Sequence, residues 1–149
     1  MKKIFRKITA LLVAFVFICL CGVNAFAKTI TEDYDNDRYV VTANYSISQK
    51  STGGTIFVTD NGRMFSNPYL YVSVTYRYVK LNGVTPEVKI ETKSDTQRYA
   101  YSASVTFSNS TIREMVNATY TFVADIPCSY GTQTFAPRAD TITYTLPAE

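Results

Sequence analysis

The chain has 149 residues, of which 46% are hydrophobic and 14% are aromatic, with 15 basic and 12 acidic residues. It contains 12 Tyr but no Trp and no His, which excludes Ser-His-Asp and Cys-His nucleophiles, His-ligated zinc and a histidine pH switch. No motif implies a cofactor, and the length suits one domain after a leader is subtracted.

The N-terminus has the pattern of a secretory signal peptide. Residues 1–7 are rich in Lys and Arg, residues 8–21 are apolar, and Ala25 and Ala27 supply the small residues of a cleavage site after Ala27. The competing interpretation is a membrane anchor, but the apolar stretch is shorter than the roughly 20 residues of a spanning helix. Nothing later in the chain resembles a span, so no stable membrane span is expected after cleavage. Residues 1–27 are therefore predicted to be a signal peptide of an exported, extracellular protein, and the short lysine-rich leader is typical of bacteria.

Removal of this leader changes the charge balance of the chain. Four basic residues and no acidic residue lie within it, which leaves 11 basic and 12 acidic residues. No basic cluster survives, so nucleic-acid binding is not expected. Residues 28–38 are predicted to be an acidic, flexible N-terminal segment, and residues 39–149 a single domain.

Three aspartates in the acidic segment alternate along the chain, as do the oxygen ligands of a calcium loop: Asp33, Asp35 and Asp37. An EF-hand would continue with Gly at position 38 and Glu at position 44, where this chain has Arg38 and Asn44. The segment is thus a weak calcium candidate, and the alternative is an acidic terminus that keeps the exported chain soluble.

From Tyr39 onward, apolar residues fall on alternate positions, which predicts strands with one buried face. Gly-, Asn- and Asp-rich turns separate these runs at the spacing of an antiparallel structure. Thr111 and Glu114 could form a capping box, for which one helical turn at most is expected. The fold class predicted is all-β, an antiparallel two-layer β-sandwich of immunoglobulin-like or related form with about seven or eight strands. The predicted strands are 39–48, 55–59, 69–81, 84–92, 96–107, 115–125 and 139–146.

The register of the central strands can be predicted by matching their apolar faces. A three-residue loop over 81–83 pairs Tyr76 with Val88, and an even turn at 94–95 then pairs Val88 with Tyr101. These three residues would form an apolar row across a three-stranded meander. The strands at 39–48, 115–125 and 139–146 are predicted to cover it as the second layer.

The best pair of carboxylates on one face is Glu87 and Glu91. Four residues along a strand span about 13 Å, whereas a glycosidase places its acids roughly 5 to 9.5 Å apart. Basic neighbours, Arg77, Lys89 and Arg98, favour a solvated ionic face. No catalytic residue is predicted, and a carboxylate-based hydrolase is the third and weakest hypothesis.

Cys128 is the one cysteine left after the leader is removed, so it has no intramolecular disulfide partner. No cation flanks it in sequence to lower its pKa, which argues against a catalytic thiolate. The expectation is a small, half-buried thiol beside a turn, and the alternative is an intermolecular disulfide.

Tyrosine pairs recur along the predicted strands, and most are explained by packing on the apolar face, which is where Tyr76, Tyr78, Tyr99 and Tyr101 are expected. Tyr69 and Tyr71 differ because they share the parity of the polar positions and should project from the opposite face. Two rings about 7 Å apart could stack on a sugar or on a partner protein, and the alternative is contact with a neighbouring loop.

These observations favour a small secreted protein that acts as a non-catalytic binding or cell-surface interaction module. Its partner would be an extracellular protein or glycan, with Tyr69 and Tyr71 as candidate ligand-binding residues and no metal required. The alternative is an extracellular structural protein that self-assembles through its edge strands, because Thr- and Tyr-rich strands offer little protection against edge pairing.

Overall fold

A computed structural model describes residues 25–61 and 67–144 of the chain. Most of the predicted signal peptide, residues 1–24, lies outside this range. The described residues form nine strands and no helix, which confirms the all-β class. The strands are β1 (Phe26–Tyr34), β2 (Tyr39–Ile47), β3 (Ser51–Asp60), β4 (Tyr69–Asn82), β5 (Thr85–Arg98), β6 (Ser102–Ser108), β7 (Ile112–Cys128), β8 (Gly131–Phe135) and β9 (Asp140–Thr143).

Two antiparallel sheets pack face to face, which confirms the predicted β-sandwich. The first sheet has the order β1-β2-β3-β6, and the second has the order β5-β4-β7-β8. The long strand β7 also pairs with β9 through residues 117–120. Strands β5 and β6 therefore lie at the same side of the sandwich, where the chain passes from one sheet to the other.

The centre of the core is aromatic. The ring of Tyr45 on β2 lies 4.7 Å from that of Tyr120 and 5.4 Å from that of Phe122, both on β7. Gly54 of β3 pairs with Tyr45 of β2, and a Cβ at Gly54 would lie 3.1 Å from the Phe122 ring. A side chain at this position would force the ring to shift by a few tenths of an ångström, so glycine suits this close approach. The hydroxyl of Tyr120, although buried, donates to the Ser46 carbonyl at 2.7 Å, which satisfies its polar group.

The acidic N-terminal segment is not a flexible terminus, because most of it belongs to β1. This strand pairs with β2 along its whole length and places only Ile30 and Tyr34 against the core. It begins at Phe26, before the predicted cleavage site. Such an edge strand lacks the alternation of apolar residues that identifies strands in a sequence.

The predicted register of the hairpin between β4 and β5 is wrong. Tyr76 pairs with Glu91, and Val88 pairs with Val79 on the outer face of the second sheet. The turn has two central residues, and the first, Gly83, has a φ of 66°, as a type II′ turn requires. The apolar side chains of β5 consequently point away from the core.

The chain does not turn back at residues 94–95 either. Strand β5 continues to Arg98, and the chain crosses at 99–101 to the first sheet, where β6 pairs with β3. The predicted layers are therefore wrong: β2 shares a sheet with β6, whereas β7 and β9 share a sheet with β4. The expected row of Tyr76, Val88 and Tyr101 does not exist. The possible helical turn at Thr111 is a tight turn in which Asn109 Oδ1 accepts the Thr111 N–H at 2.9 Å.

Candidate functional site

The acidic turn after β1 is held by the side chain of Arg38. Asp35 and Asp60 approach the Arg38 guanidinium at 3.8 Å and 3.7 Å, and that guanidinium also lies 4.7 Å from the centre of the Tyr39 ring. Asp33 is exposed on β1, away from this cluster. Among the described residues, no three acidic, Cys or His side chains converge as metal ligands would. The three aspartates singled out for calcium are therefore not brought together.

Cys128 is a partly buried thiol at the end of β7, beside the turn to β8, as expected. Its Sγ donates to the Ile126 carbonyl and to Gln133 Oε1, each at 3.4 Å. Burial is the main cause that raises the pKa of Cys128, and the carboxylate of Asp35 adds to it. A raised pKa keeps the thiol protonated and weakens it as a nucleophile.

Glu87 and Glu91 lie on the inner side of β5, at the rim of the sandwich, where both remain exposed to solvent. Glu91 accepts the hydroxyls of Tyr76 and Tyr78 at 3.1 Å and 2.8 Å. Glu87 forms an exposed ion pair with Lys89 at 3.5 Å. The two carboxylates thus have different partners: Glu91 satisfies buried hydroxyl groups, and Glu87 pairs with a surface cation.

Tyr69 lies in a depression on the second sheet, where β4 begins and β5 ends. In the sheet register Tyr69 pairs with Arg98 of β5 on one side and with Asp125 of β7 on the other. The Arg98 guanidinium lies 5.8 Å from the centre of the Tyr69 ring. The depression has a volume of about 430 Å³, and its lining residues are Asn67, Pro68, Tyr69, Arg98, Tyr99 and Asp125.

Tyr99 forms the outer wall of this depression. Its side chain is 75% exposed, and its φ of 61° is in the left-handed region, where a bulky residue is a genuine outlier. Its N–H donates to the Pro68 carbonyl at 3.3 Å, which fixes the crossing between the sheets against the start of β4. Strained backbone conformations of this kind cluster at ligand sites.

The groups that line the depression offer both polar contacts and apolar surface. Arg98 supplies N–H donors, Asn67 supplies an amide, and two tyrosine rings supply apolar faces. Asp125 is the one carboxylate among the described lining residues, and its Oδ1 accepts the hydroxyl of Thr134 at 2.7 Å.

A polar surface continues from the depression along the outer face of the second sheet. Tyr71 is next on this face of β4, half-buried between Thr96 and Val123. Farther along, four threonines form a row across β5, β4, β7 and β9, joined in pairs by hydroxyl contacts of 2.9 Å and 2.8 Å. This row consists of Thr92, Thr75, Thr119 and Thr141.

Sequence reasoning found Tyr69 and Tyr71 but missed three of their neighbours in the depression. Arg98 was placed on an ionic face with Glu91, and Tyr99 was placed in the core. Asp125 carried no motif. The correct register of β4 with β5 and β7 would have placed Arg98 and Asp125 beside Tyr69, whereas the positive φ of Tyr99 has no sequence signature in a tyrosine.

No family model matches the chain, and no curated protein is significantly similar to it in sequence. Within residues 25–61 and 67–144, the structure contains no helix long and apolar enough to span a membrane. Any functional conclusion must therefore depend on the chemistry of the depression and of the surfaces around it.

Proposed function

We propose that this protein is a secreted, non-catalytic binding domain whose ligand is an extracellular glycan. The depression around Tyr69 and Tyr99 is the primary site, and the polar outer face of β4 continues it. The single observation that carries the proposal is the convergence of two tyrosine rings with a guanidinium, a carboxylate and an amide around one depression. These groups suit a sugar, which has an apolar ring face and an edge of hydroxyl groups.

Each lining group has a distinct role in this proposal. The exposed ring of Tyr99 stacks on the apolar face of one sugar unit, and Arg98 donates hydrogen bonds to its hydroxyl oxygens. Asp125 and Asn67 accept hydrogen bonds from other hydroxyls. Tyr71 contacts the next unit, because alternate residues of a strand lie about 7 Å apart on the same face.

The proposal extends to a chain of sugar units rather than a single sugar. The depression has a volume of about 430 Å³, near the lower end of the range for small-molecule sites. Beyond it, the outer face of β4 continues past Tyr71 and the buried Ser73 to Thr75, which belongs to the row of threonines. Weak contacts repeated along an extended glycan would add to the affinity of the first site.

Affinity electrophoresis and calorimetry with a panel of bacterial and host polysaccharides test the proposal. The double variant Tyr69→Ser/Tyr71→Ser and the single variant Tyr99→Ala are each expected to weaken binding about tenfold or more, equivalent to about 1.4 kcal/mol. Tyr130→Ala is the matched control, because Tyr130 is 97% exposed but does not line the depression.

Circular dichroism should show that all of these variants remain folded. Glycan binding that is equal in the wild type and in the Tyr69, Tyr71 and Tyr99 variants would contradict the proposal. If no polysaccharide binds, but a purified envelope protein is retained through the same tyrosines, the site is a protein-binding site and the glycan proposal is wrong.

A further inference from the structure

Strand β5 combines an open hydrogen-bonding edge with an exposed apolar face. In the described residues β5 pairs only with β4, so its other edge is the end of the second sheet. On the outer face of this strand, Val88 is 52% exposed and Ile90 is 67% exposed, and Val84 in the adjoining turn is 96% exposed. Long edges with apolar side chains are templates for pairing with another strand.

The inner side of β5 carries an alternating series of charges. Glu87, Lys89, Glu91 and Lys93 occupy successive positions on this side of the strand. Edge lysines ordinarily oppose strand pairing, because like charges meet. Here the signs alternate, so an antiparallel second copy can bring every lysine opposite a glutamate.

We propose that this protein forms a two-fold symmetric dimer by antiparallel pairing of β5 with β5 of a second copy, in the register that places Ile90 opposite Ile90. In this register Glu87 faces Lys93 of the second copy, and Lys89 faces its Glu91. The symmetry repeats both contacts, which gives four pairs of opposite charge. On the outer face, Val88 and Ile90 of the two copies form one apolar cluster.

The charges distinguish this register from its neighbours. A shift of the second copy in one direction places Lys89 opposite Lys89 and Glu87 opposite Glu91. A shift in the other direction places Glu91 opposite Glu91. Like charges directly opposite each other oppose pairing. A larger shift, centred on Thr92, would bring Asp95 into the pairing, but Asp95 already accepts the backbone N–H of Ser104 at 3.0 Å. This shift would also separate the two Ile90 side chains.

The position of Glu91 supports the same partner. Its carboxylate accepts two tyrosine hydroxyls, but among the described residues no cation lies within salt-bridge distance of it. A lysine from a second copy would supply the missing positive charge at the rim of the core. The hairpin turn and Pro86, which has no N–H to donate, limit the pairing at one end, and the contact of Asp95 with β6 limits it at the other.

This dimer would be a closed assembly rather than a fibre. A two-fold axis uses the same edge of both copies and leaves no second β5 edge for further growth. The axis is perpendicular to the sheet, so both outer faces remain on the same side. The glycan sites of the proposed function would then act together, although the dimer itself does not depend on them.

Sedimentation equilibrium of the purified protein from micromolar to millimolar concentrations tests the proposal, with single charge reversals as the first variants. E87K places two lysines opposite each other, and K93E places two glutamates opposite each other. Each is expected to raise the dissociation constant of the dimer about tenfold or more. K50E is the matched control, because Lys50 is exposed in the turn between β2 and β3.

The rescue experiment tests the register itself. The double variant E87K/K93E and an equimolar mixture of the two single variants both restore opposite charges, so both should regain the wild-type dissociation constant. In the wild type, hydrogen exchange of the backbone amides from Val88 to Thr92 should slow as the protein concentration rises.

Four results would overturn the proposal. One is a wild-type monomer at every concentration with no change in amide exchange. Another is association that E87K and K93E leave unchanged, and the third is a loss of association that neither the double variant nor the mixture restores. Open-ended oligomers in place of a dimer would also contradict the two-fold pairing.

Discussion

Strands β4 and β5 are neighbours in one hairpin, yet they orient their apolar residues in opposite directions. Leu70, Val72 and Val74 of β4 are fully buried in the core. The corresponding apolar residues of β5, Val88 and Ile90, are exposed on the outer face. Both strands show the same alternation in sequence, so alternation identifies a strand without identifying which of its faces is buried.

The difference arises from the position of each strand in its sheet. Strand β4 lies between β5 and β7, and the first sheet covers its inner face. Strand β5 lies at the edge, where its inner side must provide acceptors for the hydroxyls of Tyr76 and Tyr78. Glu91 can accept both, whereas an apolar residue would leave them without a partner on the protein.

The largest expected effect distinguishes the two apolar faces. Leu70→Ala removes a fully buried side chain and is expected to lower the free energy of unfolding by about 2 to 5 kcal/mol. Ile90→Ala removes an exposed side chain of the same size and should change it by less than about 0.5 kcal/mol at concentrations where the protein is monomeric. Urea denaturation measures both. Equal losses would mean that β5 also contributes its apolar face to the core.

The next effect compares the two glutamates of β5. Glu91→Ala removes the acceptor of two buried tyrosine hydroxyls and is expected to lower the free energy of unfolding by about 1 to 3 kcal/mol. Glu87→Ala breaks an exposed ion pair and should change it by less than about 1 kcal/mol. Urea denaturation at neutral pH compares the variants. A larger loss for Glu87→Ala would contradict the role assigned to Glu91.

The hydroxyls at this rim also predict a pH dependence. Burial, and next the hydrogen bond to Glu91, raise the pKa of Tyr78 to about 12 from its ordinary value of 10.0. Because the folded state holds this proton more tightly than the unfolded state does, the associated stability is complete below pH 10.0 and is lost as the pH rises through about 12.

Absorbance titration of tyrosinate and denaturation at alkaline pH measure this loss. In Glu91→Gln the acceptor has no charge, so the pKa of Tyr78 should fall toward its ordinary value and the protein should lose less stability over the same pH range. A steeper alkaline loss in this variant than in the wild type would contradict the assignment.

The smallest expected effect concerns the opposite edge of the sandwich, where β1 approaches β9. Lys28 and the hydroxyl of Tyr45 both donate to Asp140, and the hydrogen bond from Lys28 is the main cause that lowers the pKa of Asp140. The stability from this lowered pKa is present above the usual value of 3.8 and is lost as the pH falls.

Asp140→Asn should therefore flatten the acid dependence of stability and lower the free energy of unfolding by less than about 1 kcal/mol at neutral pH, since the pair is exposed. Denaturation at several acid pH values compares the variant with the wild type. An unchanged acid dependence would show that Asp140 does not couple the two edges.

The sequence was sufficient to predict the fold class and the inward faces of the strongly alternating strands β2, β4 and β7. It was insufficient for β1, which has few apolar residues, and for the crossing at Tyr99, where continuous alternation suggested one unbroken strand over 96–107. Matching apolar faces led to the wrong register because the method assumes that every strand buries its apolar side. That assumption fails at a sheet edge.

The residues of the candidate site likewise divide into those that the sequence could predict and those that it could not. Parity along β4 was enough to place Tyr69 and Tyr71 outside the core, because alternation within one strand is a local property. Their neighbours are set by pairing with two other strands, which depends on turn geometry and on layer order. Arg98 and Asp125 could not be placed beside Tyr69 without both. The ligand-binding role of the two tyrosines stays a prediction.

The central claim is that β5 directs its charged side inward and its apolar side outward. Nuclear Overhauser effects between the backbone protons of β4 and β5 test it most directly. The structure predicts cross-strand contacts between Tyr76 and Glu91 and between Val79 and Val88. Contacts between Tyr76 and Val88 instead would contradict it, and would remove the basis for both the Glu91 acceptor site and the proposed dimer.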